Sequence, residues 1–315
     1  MKVYHSISDF QNVSRPILTT GTFDGVHFGH KIIIDRLKEI AKNQNGETVL
    51  LTFSPHPRIV LFPDDHNLQL INTLDEKIKL LEQAGIDHLI IHPFTKEFSR
   101  TTSMQFVRDI IVNELNAHKL VIGYNHHFGR NREGSFEHLK EYAPLYGFEV
   151  EEISAQLIDD VSISSTKIRR ALLSGNVSIA ADYLGYNYPL QGLVIKGQQI
   201  GRTLDFPTAN LEILDESKLI PKDGVYAVHV EVKGQTFKGM MNIGNNPSLT
   251  FKKHSIEVHI FDFDLDIYNE QIEVIFLKYI RKETSFENLD ALKIQLVRDK
   301  ATVKAVLKFD KLDRI

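Results

Sequence analysis

The chain contains no cysteine. That excludes disulfides, thiolate nucleophiles, iron–sulfur clusters and sulfur-based zinc sites in one step. Long hydrophobic runs are missing too, since no apolar stretch approaches the ~18 residues needed to cross a bilayer. The first ten residues have no apolar centre and carry an early Asp9, so they do not read as a secretory leader. Charge of one sign is not in excess: 37 Lys and Arg stand against 41 Asp and Glu, a net charge of −4. This argues against a general nucleic-acid binder while leaving room for local basic pockets. No GxxxxGK[ST] occurs, which removes the P-loop kinases. The expectation is a soluble, cytoplasmic protein whose partner is neither nucleic acid nor a membrane.

At 315 residues the chain exceeds one comfortable core, and two domains of roughly 150 residues are expected. Hydrophobic residues at 42% and charged residues at 25% suit a globular protein. The first half alternates short apolar runs (17–18, 48–53, 88–91, 119–123) with helical patterns (29–42, 75–84, 103–116). Such alternation predicts a Rossmann-like parallel sheet with helices on both faces, which binds ligands beyond its C-terminal strand ends. From about residue 185 short strands dominate, at 189–195, 225–230, 237–241, 255–261 and 271–276. Their spacing predicts an antiparallel β-barrel. In the tail, Phe286, Leu289, Leu292, Leu296, Val303, Val306 and Leu307 form one helical stripe, predicting a C-terminal helix on the barrel. The fold class is therefore α/β plus β, with domains 1–184 and 185–315 and a linker near 183–189.

Three segments of the first domain can converge on one nucleotide. Gly21-Thr-Phe-Asp-Gly-Val-His-Phe-Gly-His30 puts a glycine-bounded turn between a strand and a helix, with His27 and His30 on the first helical turn. A helix N-terminus offers free N–H groups and partial positive charge, and both imidazoles can donate to one oligophosphate. The segment 123–129 follows a strand and is rich in groups that hydrogen-bond or stack, among them Asn125, His126 and His127. In 163–170, Ser164 or Ser165 is a suitable N-cap, followed by Thr166 and by Lys167 and Arg169, a second anion site. Paired histidines with two anion sites suit attack at an α-phosphorus with pyrophosphate leaving, which needs positioning and charge stabilisation rather than a general base. Taken singly, HxxH is also compatible with a metal pair or a surface pair, and His126-His127 with a polar turn or half a zinc site.

In the second domain, the loop from Gly192 through Gly197 to Gly201 and Arg202 lets backbone N–H groups approach phosphates. Thr208 and Asn210 offer the neutral oxygens that Mg²⁺ accepts beside phosphates and water. On strand 255–261, Glu257, His259 and Phe261 alternate with Val258 and Ile260. If the apolar pair faces the core, Glu257 faces a cleft, where a carboxylate can deprotonate a hydroxyl nucleophile. A solvated strand residue is the plainer reading of Glu257.

Together, Gly21–His30, 52–57, 123–134 and 163–169 resemble the FMN adenylyltransferase module of the bacterial bifunctional riboflavin kinase/FAD synthetases, similar in turn to the HxGH nucleotidyltransferases. Residues 189–310 resemble the riboflavin kinase half of the same family. The resemblance implies two ATP-dependent steps, riboflavin to FMN and FMN to FAD. It implies that His27 and His30 contact ATP phosphates, with Gly21, Phe23, Asp24 and Gly25 shaping the ATP/FMN site. Asn125 would help hold nucleotide or flavin phosphate, and Ser164, Ser165, Thr166 and Arg169 the phosphate tail. In the barrel it implies Glu257 as general base on the ribityl 5′-hydroxyl, Thr208 and Asn210 near Mg²⁺, Gly192, Gly197, Gly201 and Arg202 around ATP, and Arg281 near the nucleotide–flavin site.

Departures from the family pattern are Thr22, Lys167, His126 and His127 in the first half, and Asp205, 247–249 and Asn269 in the second. Asp205 and Asn269 replace glycine with the residues that best tolerate φ > 0, so the backbone geometry is expected to survive. An adenylyltransferase with a drifted barrel, and a non-catalytic flavin or nucleotide sensor, are the alternatives left open. A His-rich metal protein is disfavoured by the missing cysteine and the scattered histidines.

Overall fold

The computed structural model describes residues 1–11, 13–64, 68–154, 163–197, 199–245 and 254–308. Two compact units divide at Ser165/Thr166. The first carries six strands, β1 (Lys2–Tyr4), β2 (Pro16–Thr20), β3 (Glu47–Ser54), β4 (His88–Pro93), β5 (Lys119–Gly123) and β6 (Glu149–Ile153), in one sheet of order β1-β4-β3-β2-β5-β6. Every pairing in it is parallel. The helices are α1 (Phe28–Gln44), α2 (Pro57–Leu61), α3 (Leu74–Gln83), α4 (Ser103–Gln105, continuing as π-helical turns over Phe106–Glu114) and α5 (Phe136–Tyr146).

Period-two alternation explains the layering. Ile17, Leu50, Leu89 and Val121 point to one face and pack with Leu37, Ile40 and Leu81 of α1 and α3. Leu18, Val49, Leu51, Leu120 and Ile122 point to the other and pack with Val107, Ile111 and Leu139. Each fully buried Leu or Ile contributes about 1.5–3 kcal/mol relative to exposure. The expected strands and helices of this half are all present, and the sheet gains two edge strands that the apolar pattern did not announce. β6 reads Glu-Val-Glu-Glu-Ile; its Glu151 accepts from Arg36 at 2.6 Å and lies 2.8 Å from Lys119, so its polarity is absorbed by ion pairs.

The second unit begins with two helices, α6 (Ser165–Leu173) and α7 (Val177–Leu184). Sequence alone assigned residues to 184 to the first domain, whereas these helices pack with the barrel. Ser178 Oγ donates to the Leu277 carbonyl at 3.0 Å, and the Lys222 N–H to that of Leu172 at 3.1 Å. Six strands follow: β7 (Pro189–Ile195), β8 (Ala209–Glu212), β9 (Gly224–Val232), β10 (Gln235–Asn245), β11 (His254–Ile260) and β12 (Gln271–Arg281). They close into a barrel of order β10-β11-β8-β7-β12-β9 with antiparallel pairings. A short helix, α8 (Ile200–Thr203), interrupts the β7–β8 connection.

The C-terminal helix α9 (Leu289–Val306) is capped by the Asn288 side chain, which accepts from the Ala291 N–H at 2.9 Å. Leu292, Leu296, Val303, Val306 and Leu307 pack on Phe206, Met240 and Phe261 of the barrel, as the stripe predicts. Leu289 is the exception at 54% exposed, and Phe286 precedes the helix.

Candidate active sites

In the first sheet, strand order reverses between β2 and β5. Ligands of open parallel sheets bind outside the C-terminal ends at such a switch point. The turn 21–27 leaves β2 there, and 124–128 leaves β5. The two histidine-bearing segments therefore emerge from neighbouring strands.

The first turn is built by unusual backbone. Phe23, Gly25 and Val26 adopt φ of 47°, 92° and 36°. A β-branched residue at positive φ is an outlier, and Val26 is held there by burial at 1% exposure. Asp24 lies buried beneath, its carboxylate accepting the Ile71 N–H at 3.0 Å and the Asn72 N–H at 3.3 Å. Gly21 N–H donates to the Leu51 carbonyl at 3.0 Å. The Thr22 carbonyl accepts from Lys77 Nζ at 2.8 Å and from Thr52 Oγ1 at 3.3 Å. His27, extended at φ −73° and ψ 175°, is the N-cap residue of α1, and its carbonyl receives the His30 and Lys31 N–H groups at 2.8 and 3.0 Å.

The two imidazoles stack, with centroids 3.7 Å apart and planes 13° from parallel. Phe23 covers His30 at 4.7 Å. His30 Nδ1 is buried with no hydrogen-bond partner among the described residues. Burial holds the His30 pKa well below its ordinary value, and the neighbouring His27 and Lys77 push it the same way. His30 is thus held uncharged beside a helix N-terminus that favours anions.

The second segment is partly as expected. Asn125 is exposed at the strand end. His126 is not: its Nε2 is buried and unsatisfied among the described residues, its ring stacks on Phe128 at 6.1 Å, and its pKa falls to about 4. Burial is the main cause, with His127 and Arg132 adding to it. In the third segment Ser164 precedes α6, and Ser165 Oγ donates to the Asp24 carbonyl at 3.0 Å, tying this segment to the first turn. Thr166 and Arg169 lie on α6 within the second unit.

In the barrel, Glu257 faces Asn210 across the β8–β11 pair, and its Oε2 accepts from Thr208 Oγ1 at 3.0 Å. The carboxylate is half-buried. Arg202, exposed at the end of α8, and Thr208 border one cleft of about 280 Å³ that also meets Val258, Asp264, Asp266 and Tyr268. Gly197 presses on the Asn210 amide so closely that a Cβ there would overlap it, and one at Gly201 would overlap the Phe206 carbonyl. Gly192 lies inside β7 instead, where a Cβ would come 3.1 Å from Leu211 Cβ.

Arg281 ends β12. It forks onto buried Asp299 of α9, Nε to Oδ1 at 3.0 Å and Nη2 to Oδ2 at 2.7 Å. Asp205 and Asn269 do adopt positive φ, 67° and 61°, as their amino-acid types allow. The third departure, 247–249, lies outside the described residues.

Two buried groups near these sites escaped the motif reading. Lys77 sits at 7% exposure under the His27/His30 turn, with its pKa lowered by burial. A signal existed: Leu74, Lys77, Ile78 and Leu81 share the i, i+3, i+4, i+7 stripe, so a lysine occupied a core position. The other is His259, which shares the Glu257 side of β11.

Known proteins match both halves of the chain. A family model described as FAD synthetase matches residues 9–167, and one described as riboflavin kinase matches 184–307. A "Bifunctional riboflavin kinase/FMN adenylyltransferase" of Listeria monocytogenes is 38% identical over 92% of this chain and 91% of its own. Proteins of the same description from Escherichia coli and Bacillus subtilis are 35% and 36% identical, covering 91% and 94% of this chain and 91% and 93% of theirs. A Streptococcus pneumoniae crystal structure described as a macrolide-efflux protein superposes with TM-score 0.87 at 32% identity, over 96% of this chain and 98% of that one. Among the described residues no helix is long and apolar enough to cross a membrane.

Proposed function

The chain belongs to the bifunctional riboflavin kinase/FMN adenylyltransferases, and from that premise we propose how its residues divide the two reactions. The enzyme phosphorylates riboflavin to FMN with ATP and adenylylates FMN to FAD with a second ATP, releasing pyrophosphate. Adenylylation belongs to the first unit and phosphorylation to the barrel.

At the β2–β5 switch point, His27 and His30 donate to the ATP phosphates as charge builds on the leaving pyrophosphate. Neutral imidazoles can do this without a proton transfer, because the attacking FMN phosphate already carries its negative charge. Asp24 and Lys77 brace the Gly21–Gly25 turn from below. Asn125 reaches the nucleotide or flavin phosphate from β5, and Ser164 and Ser165 hold the phosphate tail.

In the barrel, Glu257 takes the proton of the ribityl 5′-hydroxyl as that oxygen attacks the γ-phosphorus. Thr208 and Asn210 fit Mg²⁺: both are hard neutral oxygen donors beside a carboxylate, and Gly197 leaves the Asn210 amide just enough room. When bound there, Mg²⁺ would neutralise charge on the ATP phosphates. Gly197, Gly201 and Arg202 frame the phosphates, with Gly192 supporting the barrel wall behind them.

The observation that carries this reading is the Thr208–Glu257 contact: the carboxylate is held by a hydroxyl that borders the cleft and is not spent on an ion pair among the described residues. The test is reciprocal. His30→Ala should abolish FAD formation from FMN and spare FMN formation from riboflavin, and Glu257→Ala should do the reverse. Loss of both activities in either folded variant would overturn the assignment.

A further inference from the structure

We propose that His259 is a positioning residue for phosphoryl transfer, acting as a hydrogen-bond strut that fixes the Pro207–Thr208 peptide and, through it, the Thr208 hydroxyl against Glu257. The inference rests on the kinase reading above.

The geometry runs through four groups. His259 Nδ1 lies 2.8 Å from the Pro207 carbonyl oxygen. Because that oxygen can only accept, Nδ1 must carry the proton. The peptide plane so anchored is the one whose nitrogen belongs to Thr208. Thr208 Oγ1 then reaches Glu257 Oε2 at 3.0 Å. Glu257 and His259 alternate onto the same side of β11, so one strand supplies both the carboxylate and the strut behind its partner. β8 begins only at Ala209, so Thr208 precedes the ladder bonds that would otherwise hold it. A side-chain strut supplies what the ladder does not.

The surroundings keep this imidazole in one state. It is 5% exposed, lies 5.2 Å from the Phe206 ring and 5.5 Å from that of Phe261, and its Nε2 has no partner among the described residues. Lys300 and Lys304 of α9 face the same aromatic pocket, 5.3 and 5.6 Å from the Phe261 ring. Burial and these two cations disfavour the imidazolium, against the opposing pull of Asp262 and the Pro207 carbonyl. A neutral imidazole has a single N–H, and the Pro207 bond fixes it on Nδ1.

The experiment separates the bond from the packing. His259→Phe fills an aromatic pocket but has no donor; His259→Asn keeps a donor at nearly the Nδ1 position but leaves a void. In the full chain, with riboflavin, ATP and Mg²⁺, the Phe variant should lose about tenfold in kcat for FMN formation while its riboflavin KM stays within about twofold. The Asn variant should recover most of that loss although it is the less stable protein. FAD formation from FMN reports that each chain is folded and should not change.

Full kcat in the Phe variant, or an Asn variant as impaired as Phe, would overturn the proposal. Glu257→Gln, measured alongside, distinguishes this from failure of the kinase reading: if that variant still turns over, the general-base assignment is wrong whatever His259 does.

Discussion

His27 and His30 lie ring on ring, 3.7 Å between centroids, at the first turn of one helix. Two imidazolium ions could not occupy that geometry without strong repulsion, so the stack disfavours a doubly charged pair. Burial of His30 and the Lys77 ammonium, which donates to the Thr22 carbonyl, act in the same direction. Under the proposed function, a triphosphate there would meet hydrogen-bond donors and a helix N-terminus rather than a fixed double charge.

That electrostatic arrangement sets a pH dependence of stability. His30 and His126 are held neutral in the folded chain, His126 with a pKa of about 4. Once unfolded, each regains a pKa near 6.5 and binds a proton the native state refuses. Stability should therefore be unaffected by either group above pH 7 and fall as the pH drops from 6.5 towards 4. For His126 the loss at pH 5 is about 2 kcal/mol. Urea unfolding of His126→Gln at pH 7 and pH 5 should show a smaller acid loss than the parent; an identical loss would refute the account.

Arg281 yields a different kind of expectation, because its guanidinium is forked onto a carboxylate that is 4% exposed. Asp299→Ala would strand that cation and should cost about 3–5 kcal/mol, visible as a lowered unfolding temperature. Pairing it with Arg281→Met should recover most of the loss, since a buried ion pair and an apolar replacement are often equivalent. If Asp299→Ala unfolds like the parent, the fork has no structural weight.

The sequence made much of this legible because period and punctuation agreed with the final packing. β2 to β5 are apolar runs ended by glycine or proline, and each was visible. β6 was not, because three of its five residues are glutamates, two of them paired by Arg36 and Lys119, partners distant in sequence. β8 was hidden for another reason: four residues are too few to establish a period. The same limit applied to the sites. His27, His30, Thr208 and Glu257 stood out by chemistry and spacing. Lys77 and His259 act through a carbonyl each, and no pattern of residue types reveals which backbone oxygen a side chain will meet.

Asp205 and Asn269 test whether the departures from glycine are tolerated through backbone conformation. Both sit in the left-handed region, where Asp and Asn are the best tolerated side chains after none at all. Replacing Asn269 by glycine should leave stability within about 0.5 kcal/mol, whereas alanine should cost about 1 kcal/mol more. Thermal unfolding of the two variants decides it, and equal midpoints for Gly and Ala would remove conformation as the explanation.

Thr208 has two oxygen-dependent tasks in the proposed mechanism, and a matched pair of substitutions isolates them. Thr208→Val keeps the branched shape while removing the hydroxyl that meets Glu257 Oε2 at 3.0 Å. FMN formation should fall by about 100-fold, with a raised Mg²⁺ requirement, because both the bond to the base and a hard ligand are lost. Thr208→Ser restores the oxygen and loses only a methyl group on a half-buried side chain, so its turnover should stay within about fivefold of the parent. FAD formation from FMN should be equal in all three proteins. Initial rates over a Mg²⁺ titration are the measurement, and a Val variant with the parent's turnover and Mg²⁺ dependence would exclude the hydroxyl from both tasks.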